Sequence, residues 1–460
     1  MMKQTSSLRR NRLLAAGVCL LLTPWSRGQA VPSLTLQQAI AAGLGHHPQV
    51  EQSAAQVSQA QAALHQARSG ALPSVVAAEE VMASNDPVFA FGTRLRQQRF
   101  TSADFALTSL NQPNPIGNFG ASAGASWTLF DAGATRQRIR SATTSVRAAE
   151  SAGTFTGQQV ATAVTRLFYR VLLAEDEVAV AEAAKKRAQQ VAEDIQDRVK
   201  AGLSLDVDGA RASLAAQSAA DDLQAAQDMV KLARRDLADA MGEASEERPL
   251  DRSDLDTAAA PNTTLVQPEL PQPALLQRSD IQALTERKQA AQQQLAAVRA
   301  TAWPRLSTYG HVEADSPHLA SGGGTNWTVG AKLELQVFDG GARRAQQQAA
   351  AAEIRLLEAQ KQETLREARS SIASLQSQSE DLQRRYATAA TAIATGQQAR
   401  DAARDRYTAG LVPLSEVLTT ESELTAAQYS RVKIFYQLRV LSADLALASG
   451  GSITAKAGQP

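Results

Sequence analysis

The chain has almost no cysteine, and its single thiol, Cys19, lies inside the apolar run Leu13-Leu-Ala-Ala-Gly-Val-Cys-Leu-Leu-Leu22. With Arg9, Arg10 and Arg12 before that run and Gly28-Gln-Ala30 after it, residues 1–30 read as an export signal with a mature start at Val31. Valine before Cys19 and leucines after it argue against lipidation there, so the mature chain is expected to carry neither thiol nor disulfide. Beyond the leader no apolar run approaches the ~20 residues of a spanning helix, so any insertion into a membrane must use strands. A net charge of only +1 argues against a nucleic-acid partner. The five histidines, His46, His47, His65, His311 and His318, show no ligand spacing, and nucleophile elbow and phosphate-loop motifs are missing. Neither an enzyme nor a cofactor is expected.

Proline is absent between Pro115 and Pro249 and again between Pro317 and Pro413, and both stretches are rich in helix formers. In the first, Val160, Val164, Leu167, Val171, Ala174, Val178, Ala181, Ala188, Val191 and Ile195 follow heptad-like spacing. In the second, Leu365, Ile372, Leu375, Leu382, Tyr386 and Ile393 do the same. A helix from about Arg138 to Lys200 would run on the order of 90 Å. Taken alone, these stretches fit an extended coiled coil equally well.

What the chain has is a duplication. Trp127-Thr-Leu-Phe-Asp-Ala-Gly133 returns as Leu335-Gln-Val-Phe-Asp-Gly-Gly341, and Arg198-Val-Lys-Ala-Gly-Leu203 returns as Arg406-Tyr-Thr-Ala-Gly-Leu411. Both pairs are offset by 208 residues (338 minus 130, and 406 minus 198). Such self-similarity fixes the architecture before any local reading. The first repeat covers 31–248 and the second 274–449, joined by a Pro- and acid-rich linker over 249–273 and followed by a disordered tail over 450–460.

Strands decide between the readings. From Trp327 to Val337, Trp327, Val329, Ala331, Leu333, Leu335 and Val337 alternate with Thr328, Gly330, Lys332, Glu334 and Gln336. Gly120–Phe130 alternates more weakly, and two further candidates start at Pro73 and Pro304. Each is close to the 9–11 residues of a tilted membrane strand, with Trp suited to an interfacial girdle. Lys332, Glu334 and Gln336 then line a barrel lumen, because a charge facing lipid at mid-membrane is costly. Four strands cannot close a barrel, and an open edge in lipid leaves backbone groups unsatisfied, so several chains must share one. The offset between the two prolines is 231, so the first repeat carries 23 more residues (231 minus 208) in its strand-connecting loop, Ser84 to Asn118, than the second carries in Glu313 to Asn326. Both loops are placed outside the cell. Arg94, Arg96 and Arg99 in the longer one read as a solvated loop.

In these features the chain resembles the outer membrane efflux protein family, the TolC-like channels, over its mature length. The resemblance rests on Phe130-Asp-Ala-Gly133 and Phe338-Asp-Gly-Gly341, on Ala201-Gly-Leu203 and Ala409-Gly-Leu411, and on Leu36-Gln-Gln-Ala-Ile40 followed by His47-Pro48. It implies a homotrimer in the outer membrane: a twelve-stranded barrel in lipid, continuing into a long periplasmic α-helical barrel. The function implied is a passive exit duct for small molecules expelled by an inner-membrane transporter through a periplasmic adaptor. The outlet of a type I protein secretion system is the runner-up, and a non-pore periplasmic coiled-coil scaffold is the alternative from another class.

The resemblance also makes the turns at Gly202-Leu203 and Gly410-Leu411 the tips where the adaptor docks. It makes Asp208 and Glu416, again 208 apart, gate acids, and Tyr407 a tether to the Asp208 position. Val412 stands where an arginine is expected and Thr419 where a second acid is expected, so the closed state has fewer tethers.

Overall fold

The computed structural model describes residues 33–243, 247–253, 255, 275–319 and 322–451. The leader, all of the linker after Leu255 and all but the start of the tail lie outside them. Thirteen helices and strands follow in chain order among the described residues: α1 Leu36–His46, α2 Pro48–Ser69, β1 Ser74–Ser84, α3 Pro87–Arg96, α4 Leu107–Asn111, β2 Ile116–Phe130, α5 Ala134–Lys200, α6 Asp206–Met241, α7 Ser279–Ala300, β3 Arg305–Ser316, β4 Gly324–Glu334, α8 Ala342–Thr408 and α9 Leu414–Ser449, with the 3₁₀ turn Ser102–Phe105 between α3 and α4.

The duplication is visible in the lengths. Helices α5 and α8 have 67 residues each, α6 and α9 have 36 each, and α2 and α7 have 22 each. At 1.5 Å per residue the two long helices span about 100 Å. Alongside α5, α2 covers one end and α6 the other, with α1 between them; a Cβ at Gly153 would touch Ser53, and one at Gly242 would meet His46. In the second repeat α7 and α9 flank α8 in the same way, and α7 and α9 also pack on α5, which joins the halves.

The heptad-like stripe is the buried one. Val160, Val164, Val171 and Ala174 of α5 are buried with Leu237 and Met241 of α6, Ile40 of α1, Tyr386 of α8 and Phe435, Tyr436 and Leu438 of α9. Val191 and Ile195 of the stripe form a separate cluster near the far end with Ala212, Ala403, Leu414 and Val417. Beside the main core, Tyr436 donates a hydrogen bond to Asp176 at 2.7 Å, and Arg252, arriving from the junction after α6, pairs with Asp176 at 2.5 Å and Glu175 at 2.9 Å. Glu175 also takes Arg234 of α6 at 2.5 Å. Burial raises the Tyr436 phenol above its ordinary value, and the hydrogen bond to Asp176 adds to the shift.

The four strands form one antiparallel sheet in the order β1-β2-β3-β4. The register places Trp127 beside Thr308, and Leu333 beside Leu306, on one face. On the other face Lys332 lies beside Ser307, Glu334 beside Arg305, and Glu313 beside both Ser122 and Asn326. One boundary differs from the sequence reading. Strand β4 ends at Glu334, because its partner β3 begins only at Arg305, after Pro304. Leu335, Gln336 and Val337 therefore lie in the connection to α8, and the Gln336 carbonyl accepts a hydrogen bond from Arg343 at 3.0 Å.

The duplicated Phe-Asp-x-Gly turns each strand into a helix. Asp131 accepts backbone hydrogen bonds from Gly133 at 3.1 Å and Thr135 at 2.7 Å; Asp339 accepts them from Gly341 at 3.0 Å and Arg343 at 3.1 Å. The last two motif positions take positive φ in both copies: Ala132 at 54° and Gly133 at 84°, Gly340 at 66° and Gly341 at 91°. This is why the final position is glycine twice. Burial opposes ionisation of Asp131, but the bonds from Thr135 and Gly133 and the charge of Arg138 outweigh it and hold the carboxyl below its usual 3.8. Its stabilisation is therefore complete above that value and lost as pH falls through the lower folded-state value. Asp131→Ala is expected to cost about 1 kcal/mol, and Ala132→Gly to stabilise by relieving the positive φ. Heat-dissociation midpoints of the purified oligomer at neutral pH check both.

Candidate functional site at the helical tips

The helices α5 and α8 stop alike. Gly202, with φ of 70°, donates to the Val199 carbonyl at 2.9 Å, and Leu203 donates to the Arg198 carbonyl at 2.8 Å. Gly410, with φ of 74°, donates to Tyr407 at 2.9 Å, and Leu411 to Arg406 at 2.9 Å. Both are Schellman turns, in which a left-handed glycine lets two backbone N–H groups satisfy the last helical carbonyls. The turn thrusts the next side chain outward: Leu203 is 67% exposed and Leu411 74%. Leu205 and Val207 extend the first apolar tip and are also exposed. The sequence reading missed this pair, although Leu203-Ser-Leu-Asp-Val207 places apolar residues at alternate positions just past the turn. The corresponding places in the second repeat hold Pro413 and Ser415.

The two tips of one chain lie together. The buried cluster of Val191, Ile195, Ala212, Ala403, Leu414 and Val417 draws residues from all four helices that run to them. The Arg198 guanidinium stacks over the Tyr407 ring at 5.6 Å and reaches the Thr408 carbonyl at 3.4 Å, while Arg404 pairs with Asp194. Farther from the tips, Arg187 of α5 binds Glu421 at 2.9 Å and Thr425 at 3.0 Å on α9.

The residues singled out as a gate lie within this region, with one difference in partnership. Asp208 is half-buried on the first turn of α6, and Glu416 is exposed on the first turn of α9. Within the protomer the Tyr407 hydroxyl meets Ser204 Oγ at 3.1 Å, in the first turn, rather than Asp208. At the opposite end of the molecule Lys332 and Glu334 form an ion pair at 3.2 Å on the polar face of the sheet, whereas Gln336 lies past the strand. No cluster of metal-ligating side chains occurs among the described residues. Nor is any described helix long and apolar enough to cross a membrane.

A paired repeat of strands and long helices, ending in twin turns, defines a class of outer-membrane channel. The model of the family described as "Outer membrane efflux protein" matches residues 39–243 and 270–451, and the chain belongs to that family. Among solved structures it is similar to the channel-forming protein CusC, with 19% identity over 92% of this chain and 93% of that one and a TM-score of 0.77. The outer membrane protein VceC of Vibrio cholerae matches at 22% identity, 91% and 96% coverage and a TM-score of 0.74. The open state of the MtrE outer membrane channel of Neisseria gonorrhoeae matches at 19% identity, 91% and 89% coverage and a TM-score of 0.70. A search of curated proteins found no significant match.

The protein is thus an outer-membrane channel of a tripartite efflux system, reaching from the outer membrane into the periplasm. Its fold is that of the trimeric channels, in which the sheets of three protomers close one β-barrel above a long α-helical barrel. The non-pore scaffold gives way to this assignment.

Proposed function

We propose that this channel is a passive exit duct for small molecules, and that its tips dock a periplasmic adaptor which links it to an inner-membrane transporter. The observation that carries the docking is the pair of Schellman turns holding Leu203 and Leu411 out of the fold at the ends of helices of equal length. An apolar side chain fixed on a rigid turn is the form of anchor that a helical hairpin buries in its own groove. The domain division at 31–248 and 274–449 belongs to the same reading, since each repeat supplies one strand pair and one tip.

The tips also form the gate in this reading. Three copies of Asp208 and Glu416 around one axis favour cations and resist anions. Tyr407, bound to Ser204 and stacked under Arg198, holds the two hairpins of a chain together. Tyr407→Phe with Asp208→Ala is expected to raise single-channel conductance in a planar bilayer; an unchanged conductance would remove both residues from the gate.

A photoreactive residue at position 411 in intact cells tests the docking claim. Capture of a periplasmic adaptor supports it, and the transporter paired with that adaptor distinguishes drug efflux from protein secretion. Capture of neighbouring copies alone would overturn it.

A further inference from the structure

The connection over 85–115 between β1 and β2 is several times longer than the connection over 317–323 between β3 and β4. It is folded. Asp86 caps α3 through the Phe89 N–H at 2.8 Å, Phe100 packs edge-on against Phe91 at 4.9 Å and Phe105 at 5.1 Å, and Arg94 pairs with Asp104. Two of the three arginines expected to be solvated have carboxylate partners: Arg94 holds the segment to itself, and Arg96, still more than half exposed, reaches the sheet.

Helix α3 and the residue after it rest on the sheet by a definite face. Ala90, Thr93 and Gln97 are buried on one helical stripe. Gln97 donates from Nε2 to the Gly117 carbonyl and to Asn118 Oδ1, each at 2.9 Å, and Asn118 passes the chain on to Asp315 at 2.5 Å. Arg96 pairs with Glu313 at 3.4 Å. The backbone of α3 approaches β4 so closely that a Cβ on Gly324 would overlap the Arg96 carbonyl oxygen. By strand register Asn118, Glu313, Asp315 and Gly324 share the face of Lys332 and Glu334. The segment is therefore bound to the polar side of the sheet, across β2, β3 and β4, at the end far from the helices.

We infer that residues 87–98 form a second constriction on the exit path, an inward-folded plug at the outer mouth whose Arg96 helps set which solutes leave. This rests on the reading that the polar face of the sheet lines the lumen. A loop of the length of 317–323 suffices to join two such strands, so the additional chain is not needed for closure. Three plugs, one from each protomer, narrow the same opening from three sides. A cationic Arg96 on each, set among the carboxylates of Glu313 and Asp315, gives the mouth a charge pattern separate from that of the tips.

The test is planar-bilayer recording of the purified trimer in which residues 85–115 are replaced by a copy of 317–323. The exchange is made together with Tyr407→Phe and Asp208→Ala, so that the tips do not limit the current, and conductance is expected to rise above that of this open-tip parent because a constriction in series has been removed. Arg96→Glu in the full-length chain is expected to move the reversal potential toward cation selectivity. An intact trimer with unchanged conductance overturns the plug. Should the exchanged chain fail to assemble, Arg96→Ala with Gln97→Ala serves in its place: a rise in conductance supports the plug, and none overturns it. Lys332→Cys, in a mature chain free of other thiols, separates the underlying reading. Block of the current by a bulky maleimide with no effect of the loop exchange refutes the plug alone. Absence of block refutes the lumenal face, and the plug with it.

Discussion

Leu203→Asp combined with Leu411→Asp will abolish pump-dependent resistance while the trimer still forms in the outer membrane. Each leucine is mostly exposed in the isolated chain, so neither contributes much to the fold. Buried in a partner's groove, each is worth about 1.5 kcal/mol or more, a roughly ten-fold change in affinity at its own tip, and the double change weakens both kinds of tip at once. Aspartate adds the cost of desolvating a charge, so the loss should exceed that of alanine at the same sites. Resistance and adaptor capture are to be measured together, because a change in resistance with undiminished capture would place the leucines in conduction instead. The single changes should be unequal. Leu205 and Val207 extend the first tip, whereas Pro413 and Ser415 stand at the second, so Leu411→Asp should be the more damaging.

Asp176→Ala will cost about 3 kcal/mol, the largest stability loss expected from one polar substitution here. It removes the acceptor of the buried Tyr436 hydroxyl and one of the two carboxylates that hold Arg252. Tyr436→Phe removes donor and acceptor need together and should cost about 1 kcal/mol. The further loss from Asp176→Ala in a Tyr436→Phe background, where no hydroxyl is left unpaired, read from heat dissociation of the trimer, measures the Asp176–Arg252 pair that ties α5 to the start of the inter-repeat junction. No further loss would show that this pair contributes nothing. Because the folded state holds the Tyr436 phenol above its ordinary value, that part of the stability is complete below the ordinary phenol range and fades only as pH rises beyond it.

The elements legible in the sequence were those written in a period. Val160, Val164, Val171, Val191 and Ile195 gave the buried stripe of α5, and alternation from Trp327 to Glu334 gave β4 and its two faces. The duplication gave both strand exits and both tips, since each depends on a glycine that must take positive φ. Gln336 was misplaced because alternation continues past the point where the protomer offers a partner strand, and hydrogen bonding ends a strand irrespective of pattern. Helix α3 was read as loop because it is too short to show a period. Its signal was Asp86-Pro87, a capping side chain followed by proline at the first helical position. Contacts between repeats, such as Tyr407 with Ser204 or Arg187 with Glu421, join residues about two hundred positions apart and have no local signature.

The equal lengths of α5 and α8 bear on symmetry. Two tips on matched stalks in each of three chains make a rim of six places from an assembly with only three-fold repetition. A partner that binds one tip finds a near copy of its site one-sixth of a turn away, and a ring of six such partners closes without any chain of this protein being present six times. The six places are not identical, since Leu205 and Val207 enlarge every second one. Occupancy would then proceed in two tiers, three stronger seats filling before three weaker ones, and the concentration of partner would decide whether the rim is half dressed or complete.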